Sequence, residues 1–194
     1  MKAYLLVKAY FAKMRGQGHG PPLVSLSEVL WSWLGALIGI GLVAYLDAQF
    51  VDKFGLMFLI GSFGASAVLV YGAPKSPLAQ PRNVLGGHVL SALVGISVRL
   101  ALVEISARVA LPDLGWVAAA VAVACAIALM HLTGTLHPPG GATALIALSG
   151  GPKIAASGYL FALIPVGAGA VVLILVAVVF NNLVKNRRYP EYWW

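Results

Sequence analysis

A histidine and a hydroxyl bracket two glycines in His137-Pro138-Pro139-Gly140-Gly141-Ala142-Thr143. Ser62-Phe63-Gly64-Ala65-Ser66 carries the same glycine–alanine–hydroxyl pattern in the first half of the chain. The two prolines lack backbone donors and force the chain out of helix. The glycines let a backbone approach a ligand closely. A short helix starting after such a break has unsatisfied N–H groups, equivalent to about +0.5 charge. The chemistry this suggests is the holding of an anion. The alternative is a tight loop whose donors the protein satisfies itself, with the Thr143 and Ser66 hydroxyls among the partners. His137 is the leading side chain. It could donate to an anion, titrate near neutral pH and couple to protons, or bond a backbone carbonyl. Phe63 suits an apolar wall or gate. His88 follows Gly86-Gly87 and would face the same cavity. Arg82 and Asn83 would line its approach, unless Arg82 only anchors a span end.

These groups sit in a chain of 194 residues that is 60% hydrophobic and only 10% charged, with a mean hydropathy of +0.91. Soluble domains carry about 25% charged residues, so this composition belongs in a bilayer. Residues 115–130 and 154–183 hold no charge at all, and a span needs about 20 apolar residues. The net charge of +7 does not point to nucleic acid. Lys2, Lys8, Lys13, Arg15, Lys185, Arg187 and Arg188 cluster at the two ends, which places both termini in the cytoplasm and requires an even number of crossings. Cys125 is the single cysteine, which excludes an intrachain disulfide, and reads as a packing residue. His131 lies six residues before His137, but no cysteine or carboxylate ligand is near in sequence, so no metal is expected. No cofactor is expected either, nor an enzyme. No phosphate loop, dinucleotide fingerprint or nucleophile–base–orienter set is present.

Residues 1–24 read as an amphipathic cytoplasmic segment and a linker from Gly16 to Pro22. Residues 25–194 form one membrane domain, opened by a capping box at Ser25-Leu-Ser-Glu28. Long spans are expected over about 29–45, 84–103, 114–131 and 157–183, the last kinked at Pro165. Shorter broken segments are expected over 54–71 and 136–148. Asp47 should face water at a span end, and Glu104 should pair with Arg108 four residues on. The fold class is therefore an all-α membrane protein of two repeats, about 25–108 and 109–184. Each is a span, a broken short helix and a span, giving four long transmembrane helices plus two short discontinuous segments. Matching Gly64 to Gly141, Pro74 to Pro152, Gly87 to Gly158 and Gly95 to Gly167 supports the repeat. If the broken segments cross, the repeats are inverted; if they re-enter, the repeats are parallel. The length of 54–71 favours crossing. Small-residue stripes (Gly35 and Gly39; Gly87, Ser91 and Gly95; Ala118, Ala122 and Ala126) would leave faces for a homo-oligomer.

The chain resembles the HPP family of integral membrane proteins over roughly residues 21–194. The resemblance rests on Phe63-Gly-Ala-Ser-Ala-Val, Ser76-Pro-Leu-Ala-Gln-Pro-Arg-Asn-Val-Leu-Gly-Gly-His88, Leu136-His-Pro-Pro-Gly-Gly-Ala-Thr-Ala144 and Asn181-Asn182. Family members are usually described with four membrane-spanning helices. Plant and cyanobacterial members are associated with nitrite transport. The resemblance thus implies a small-anion transporter, with nitrite the leading substrate and the lipid bilayer its setting. Some relatives carry a C-terminal CBS pair. None follows Trp194 here, so nucleotide regulation in cis is not expected. The full expectation is a bacterial inner-membrane transporter with a midplane site between two half-helix N-termini. A passive anion channel and a non-transporting subunit serving a partner protein stay open as alternatives.

Overall fold

The computed structural model describes residues 2–16, 18–108 and 114–194, and the side chains of 6–16, 18–106 and 114–194. The Pro112-Asp113 connection and the Arg108 side chain, and with it the expected Glu104–Arg108 pair, lie outside the described residues. The described chain is all-α. A short helix α1 (Lys2–Lys13) precedes α2 (Leu26–Phe54). Helix α3 (Gly61–Ala67) continues as a π turn, Val68–Gly72, and α4 runs over Pro81–Arg108. Then follow α5 (Gly115–Thr133), α6 (Pro139–Ser149), α7 (Pro152–Ser157), a π turn at Ala162–Ala168 and α8 (Gly169–Asn182). Four of these helices are long and apolar enough to cross a membrane.

Cross-chain bonds give the direction of each pass. At one end of the bundle, Arg187 joins Glu28 and Tyr71 O, while Arg82 donates to Thr133 O. At the other, Arg99 donates to Gly150 O, Lys153 pairs with Asp52, and Ser97 bonds Tyr159. α2 therefore leaves the first end, here the terminal face, and α8 returns to it. Between them the broken segments also run from face to face. Residues 55–60 followed by the helical stretch Gly61–Gly72 span up to about 38 Å. With Gly134 in a left-handed turn and Pro138 already helical, the stretch from residue 135 through α6 spans up to about 28 Å. Both come close to or exceed the roughly 30 Å hydrocarbon core. The first trio of passes (α2, α3, α4) and the second (α5, α6, α8) run in opposite senses.

Several details depart from the sequence expectations. α2 continues nine residues past Tyr45. Asp47 is half-buried, and its carboxylate accepts from Leu59 N at 2.9 Å in an exposed bond, so that it also satisfies a donor of the extended stretch. Ser25 caps Glu28 N at 3.2 Å, but the Glu28 carboxylate goes to Arg187 at 2.8 Å. Gly64 lies inside α3 and not at its break. Gly87 sits within α4, whereas Gly158 is a positive-φ turn before the last pass, so that pair is out of register. Pro165 sits inside a π turn, where the wider coil accommodates the missing donor. Cys125 is exposed.

The small-residue stripes are used inside the chain. Ala118, Ala122 and Ala126 are buried in a cluster with Ala144 and Leu148 of α6. Gly35 and Gly39 receive the Tyr71 ring, whose hydroxyl donates to Leu173 O at 3.1 Å. A Cβ at Gly39 would lie 2.6 Å from Tyr71 Cζ. Gly39→Val is therefore expected to push α2 off the core and cost about 1–3 kcal/mol. A lowered thermal midpoint of the purified protein checks this; an unchanged midpoint would mean that α2 slides freely past Tyr71.

Candidate functional site

The two short helices pass side by side, antiparallel. Ser62 of α3 meets Thr143 of α6 at 2.9 Å, and Ser66, one turn on, meets His137 just before α6 at 2.8 Å. With a residue every 100° around the helix, α3 buries Ser62, Phe63, Ser66 and Ala67 and leaves Gly61, Gly64 and Ala65 exposed. α6 likewise buries Pro139, Gly140, Thr143 and Ala144, with Gly141 half-buried and Ala142 exposed. Gly64, Ala65 and Ala142 thus face away from the histidines. Gly140 has to be small: a Cβ there would lie 2.7 Å from Ser91 Oγ and 2.8 Å from Gly87 O.

The helix starts are largely closed by their own chain. Pro139 has no N–H, and Gly140 N and Gly141 N bond back to His137 O and Pro138 O at 2.8 and 3.0 Å. Phe63 N does the same to Ile60 O at 3.0 Å. The polar capacity lies in the side chains between the helices. Ser62, Ser66, His88, His137 and Thr143 are all buried. They form one chain of contacts: Thr143 Oγ1 to His88 Nδ1 at 2.7 Å, His88 Nε2 to Ser66 Oγ at 2.7 Å, and Ser66 Oγ to His137 Nε2 at 2.8 Å. His137 Nδ1 ends it on Leu78 O at 2.8 Å. Phe63 stands edge-on to His88, ring centroids 5.0 Å apart, and walls this end. His88 lies seven residues into the 28-residue α4, about 10 Å from its start, so the cluster sits about a quarter of the way along that helix from the terminal face.

Donor and acceptor bookkeeping assigns the protons. Leu78 O only accepts, so His137 Nδ1 carries a hydrogen. With His137 neutral, Ser66 donates to its Nε2, His88 Nε2–H donates to Ser66, and Thr143 turns its single hydrogen from Ser62 to His88 Nδ1. Add one proton and the bonds between Thr143 and His137 all reverse. Thr143 then donates to Ser62, His88 Nδ1–H to Thr143, Ser66 to His88 Nε2, and His137 Nε2–H to Ser66. His137 now bears both N–H groups and the positive charge. The singly protonated state keeps every one of these contacts, and the neutral state gives up only the Thr143–Ser62 bond. No Asp or Glu is among the hydrogen-bond partners of these residues.

The remaining candidates lie around the cluster. Asn83 is buried but points to Leu136 O at 2.9 Å and receives Tyr192 at 3.1 Å. Arg82 points outward, to Thr133 O. His131 is exposed on α5.

Sequence reasoning missed a second polar assembly at the terminal face. The Arg187 side chain is 2% exposed. It bonds Tyr71 O, Asn181 Oδ1, Glu28 O and Ser32 Oγ at 2.8–3.1 Å, besides the Glu28 carboxylate. Its Nε alone is buried without a partner among the described residues. Beyond it, Tyr189 donates to Ala79 O at 2.8 Å, Tyr192 to Pro77 O at 2.9 Å, and Glu191 N to Gln80 Oε1 at 2.8 Å. Burial pushes the Tyr189 phenol above its ordinary range, and Tyr71 adds to the rise. The Asn181-Asn182 pair was the one sequence signal for this assembly: Asn181 donates to Val70 O at 3.1 Å, and Asn182 to Tyr189 O.

Two curated relatives come from Dictyostelium discoideum, and both are described as transmembrane proteins. One is 44% identical over 185 residues, covering 95% of this chain and 57% of its own length. The other is 44% identical over 196 residues, covering all of this chain and 66% of its own. The chain thus spans less than two thirds of either relative. No solved structure matches it. Residues 21–190 match the HPP transmembrane region, and with its all-α, multi-pass architecture the chain belongs to the HPP family of integral membrane proteins.

Proposed function

We propose that this protein carries a small inorganic anion, nitrite first among them, across its membrane together with a proton. One observation carries the reading: the buried Thr143–His88–Ser66–His137 chain accommodates either zero or one added proton, giving up only the Thr143–Ser62 bond in the neutral state. Protonated, it presents one positive charge between the two crossing half-helices. Nothing among its hydrogen-bond partners is acidic, so the charge is free for an anion. The pair crosses as an electroneutral unit, which lowers the cost of taking either charge out of water. Side-chain donors, in this reading, replace the helix ends as the holding groups, and Phe63 closes the far side. The bacterial inner membrane is the proposed location, with the terminal face cytoplasmic.

The test is nitrite uptake into proteoliposomes, with chloride, nitrate and formate as competitors and a pH gradient on or off. Saturable uptake that rises with an inward proton gradient is expected. His137→Ala should cut it at least about tenfold, because a buried charge-assisted contact contributes about 1.5–3 kcal/mol, while the variant still inserts. Uptake indifferent to the gradient would leave a channel. The full hydrogen bonding of the cluster also favours a second reading, a membrane subunit in which these residues only pin the half-helices together. No flux of any small anion from the purified protein would decide for it.

A further inference from the structure

Arg82 serves a different surface from the histidines. Its guanidinium lies against Thr133 O, 2.5 Å away, and Gly134, on the outer side of α4. There it stands at the mouth of a groove of about 1150 Å³, open along one side, between α4 and the last pass. The walls are almost wholly apolar, with Leu85, Val89 and Leu90 on one side and Leu163 and Val171 on the other; Gly86 and Gly167 lie along it. Trp194 sits at the mouth and separates it from a smaller recess of about 230 Å³ that shares Arg82 and Leu85 and adds Trp193. No carboxylate among the described residues is ion-paired with Arg82.

We propose that this groove binds an anionic glycerophospholipid, one acyl chain along the slot and the phosphodiester on Arg82. Three features select that occupant. First, Arg82 is the second residue of α4, at the depth where a helix leaves the hydrocarbon, and Leu90 lies about 12 Å deeper, at acyl depth. Second, two tryptophans flank the mouth, as they do at the headgroup boundary of membrane proteins. Third, Arg82 has donors to spare, and its planar fork matches a phosphate in two-point geometry. A basic recess between transmembrane helices beside an apolar slot is the physical form of a headgroup site. A small free anion would leave the slot empty. The proposal stands independently of what the buried cluster transports.

Native mass spectrometry of the full chain in mild detergent tests it, with phosphatidylglycerol and phosphatidylcholine of matched acyl length as probes. One phosphatidylglycerol per chain is expected to survive, preferred about tenfold over phosphatidylcholine, because both carry the phosphodiester but the choline ammonium would stand against the Arg82 guanidinium. Arg82→Gln should erase the preference. Val171→Trp, which fills the slot from the lipid side, should erase the adduct with Arg82 untouched, so a misfolded Arg82 variant does not leave the matter open. Equal retention of the two lipids overturns the proposal. So does displacement by glycerol phosphate without an acyl chain, which would make Arg82 a small-anion site. A lipid-free dimer broken by Val171→Trp overturns it too, in favour of a second copy in the groove.

Discussion

Ser66→Ala should uncouple the protein: nitrite-driven acidification of pyranine-loaded proteoliposomes falls at least about tenfold, while the chain still inserts and purifies. Ser66 Oγ is the hub of the cluster, bonded to His88 Nε2 and His137 Nε2 at 2.7 and 2.8 Å. In the proposed mechanism it is the group that relays a proton from one ring to the other. Alanine removes the hydroxyl and keeps the helix, since it is the best helix former. Two imidazole nitrogens are then left buried without a partner, at a cost of about 1–3 kcal/mol each. Among the described residues the two rings, 4.9 Å apart between centroids, are joined by hydrogen bonds through Ser66 and not directly. Thr143→Ser keeps a hydroxyl at its place in the chain and should keep the coupling. Acidification that survives Ser66→Ala at the native rate would remove the shared proton from the mechanism and return the cluster to a structural role.

Arg187→Met is expected to give the largest loss of stability in the chain, about 3 kcal/mol, or roughly 6–12 °C in thermal midpoint. The guanidinium holds α2 through Glu28 and Ser32, the π turn after α3 through Tyr71 O, and α8 through Asn181. Methionine fills similar space but leaves four acceptors and a carboxylate without their donor. Glu28 is 33% exposed and can turn to water, which holds the figure near the low end for a broken buried pair. Arg187→Lys supplies three donors on a point charge in place of a planar fork and should recover only part of the loss. Thermal unfolding in detergent decides it, and a drop under about 1 kcal/mol would reduce the assembly to surface decoration.

Much of this architecture was readable from residues. Uninterrupted apolar runs gave the long spans, and the proline–proline–glycine–glycine break gave the start of α6 to within three residues. His88 and His137 were legible as buried polar groups because little else in the apolar segments is titratable. What sequence could not supply was azimuth. Gly64 and Ala65 were grouped with Ser66 because they adjoin it, but a helix turns 100° per residue, so neighbours in sequence point to different media. Arg82 is a similar case: its position at a span end was clear, its bond to Thr133 O was not. Arg187 was hidden by distance, its main partner being 159 residues away in the chain. Read alone, it was one more basic residue at a terminus.

Three consecutive carbonyls, those of Pro77, Leu78 and Ala79, are held from opposite sides: the outer two by the hydroxyls of Tyr192 and Tyr189, the middle one by His137. A single turn of backbone is thus a balance beam, with the exposed Tyr192 at one end, the buried Tyr189 at the other and an imidazole at its fulcrum. In the proposed mechanism, a shift of the segment after α8 would tilt that beam and with it the Leu78 carbonyl to which His137 Nδ1–H donates. A contact on Tyr192, the exposed one of the two phenols, would then reach the histidine cluster through backbone alone.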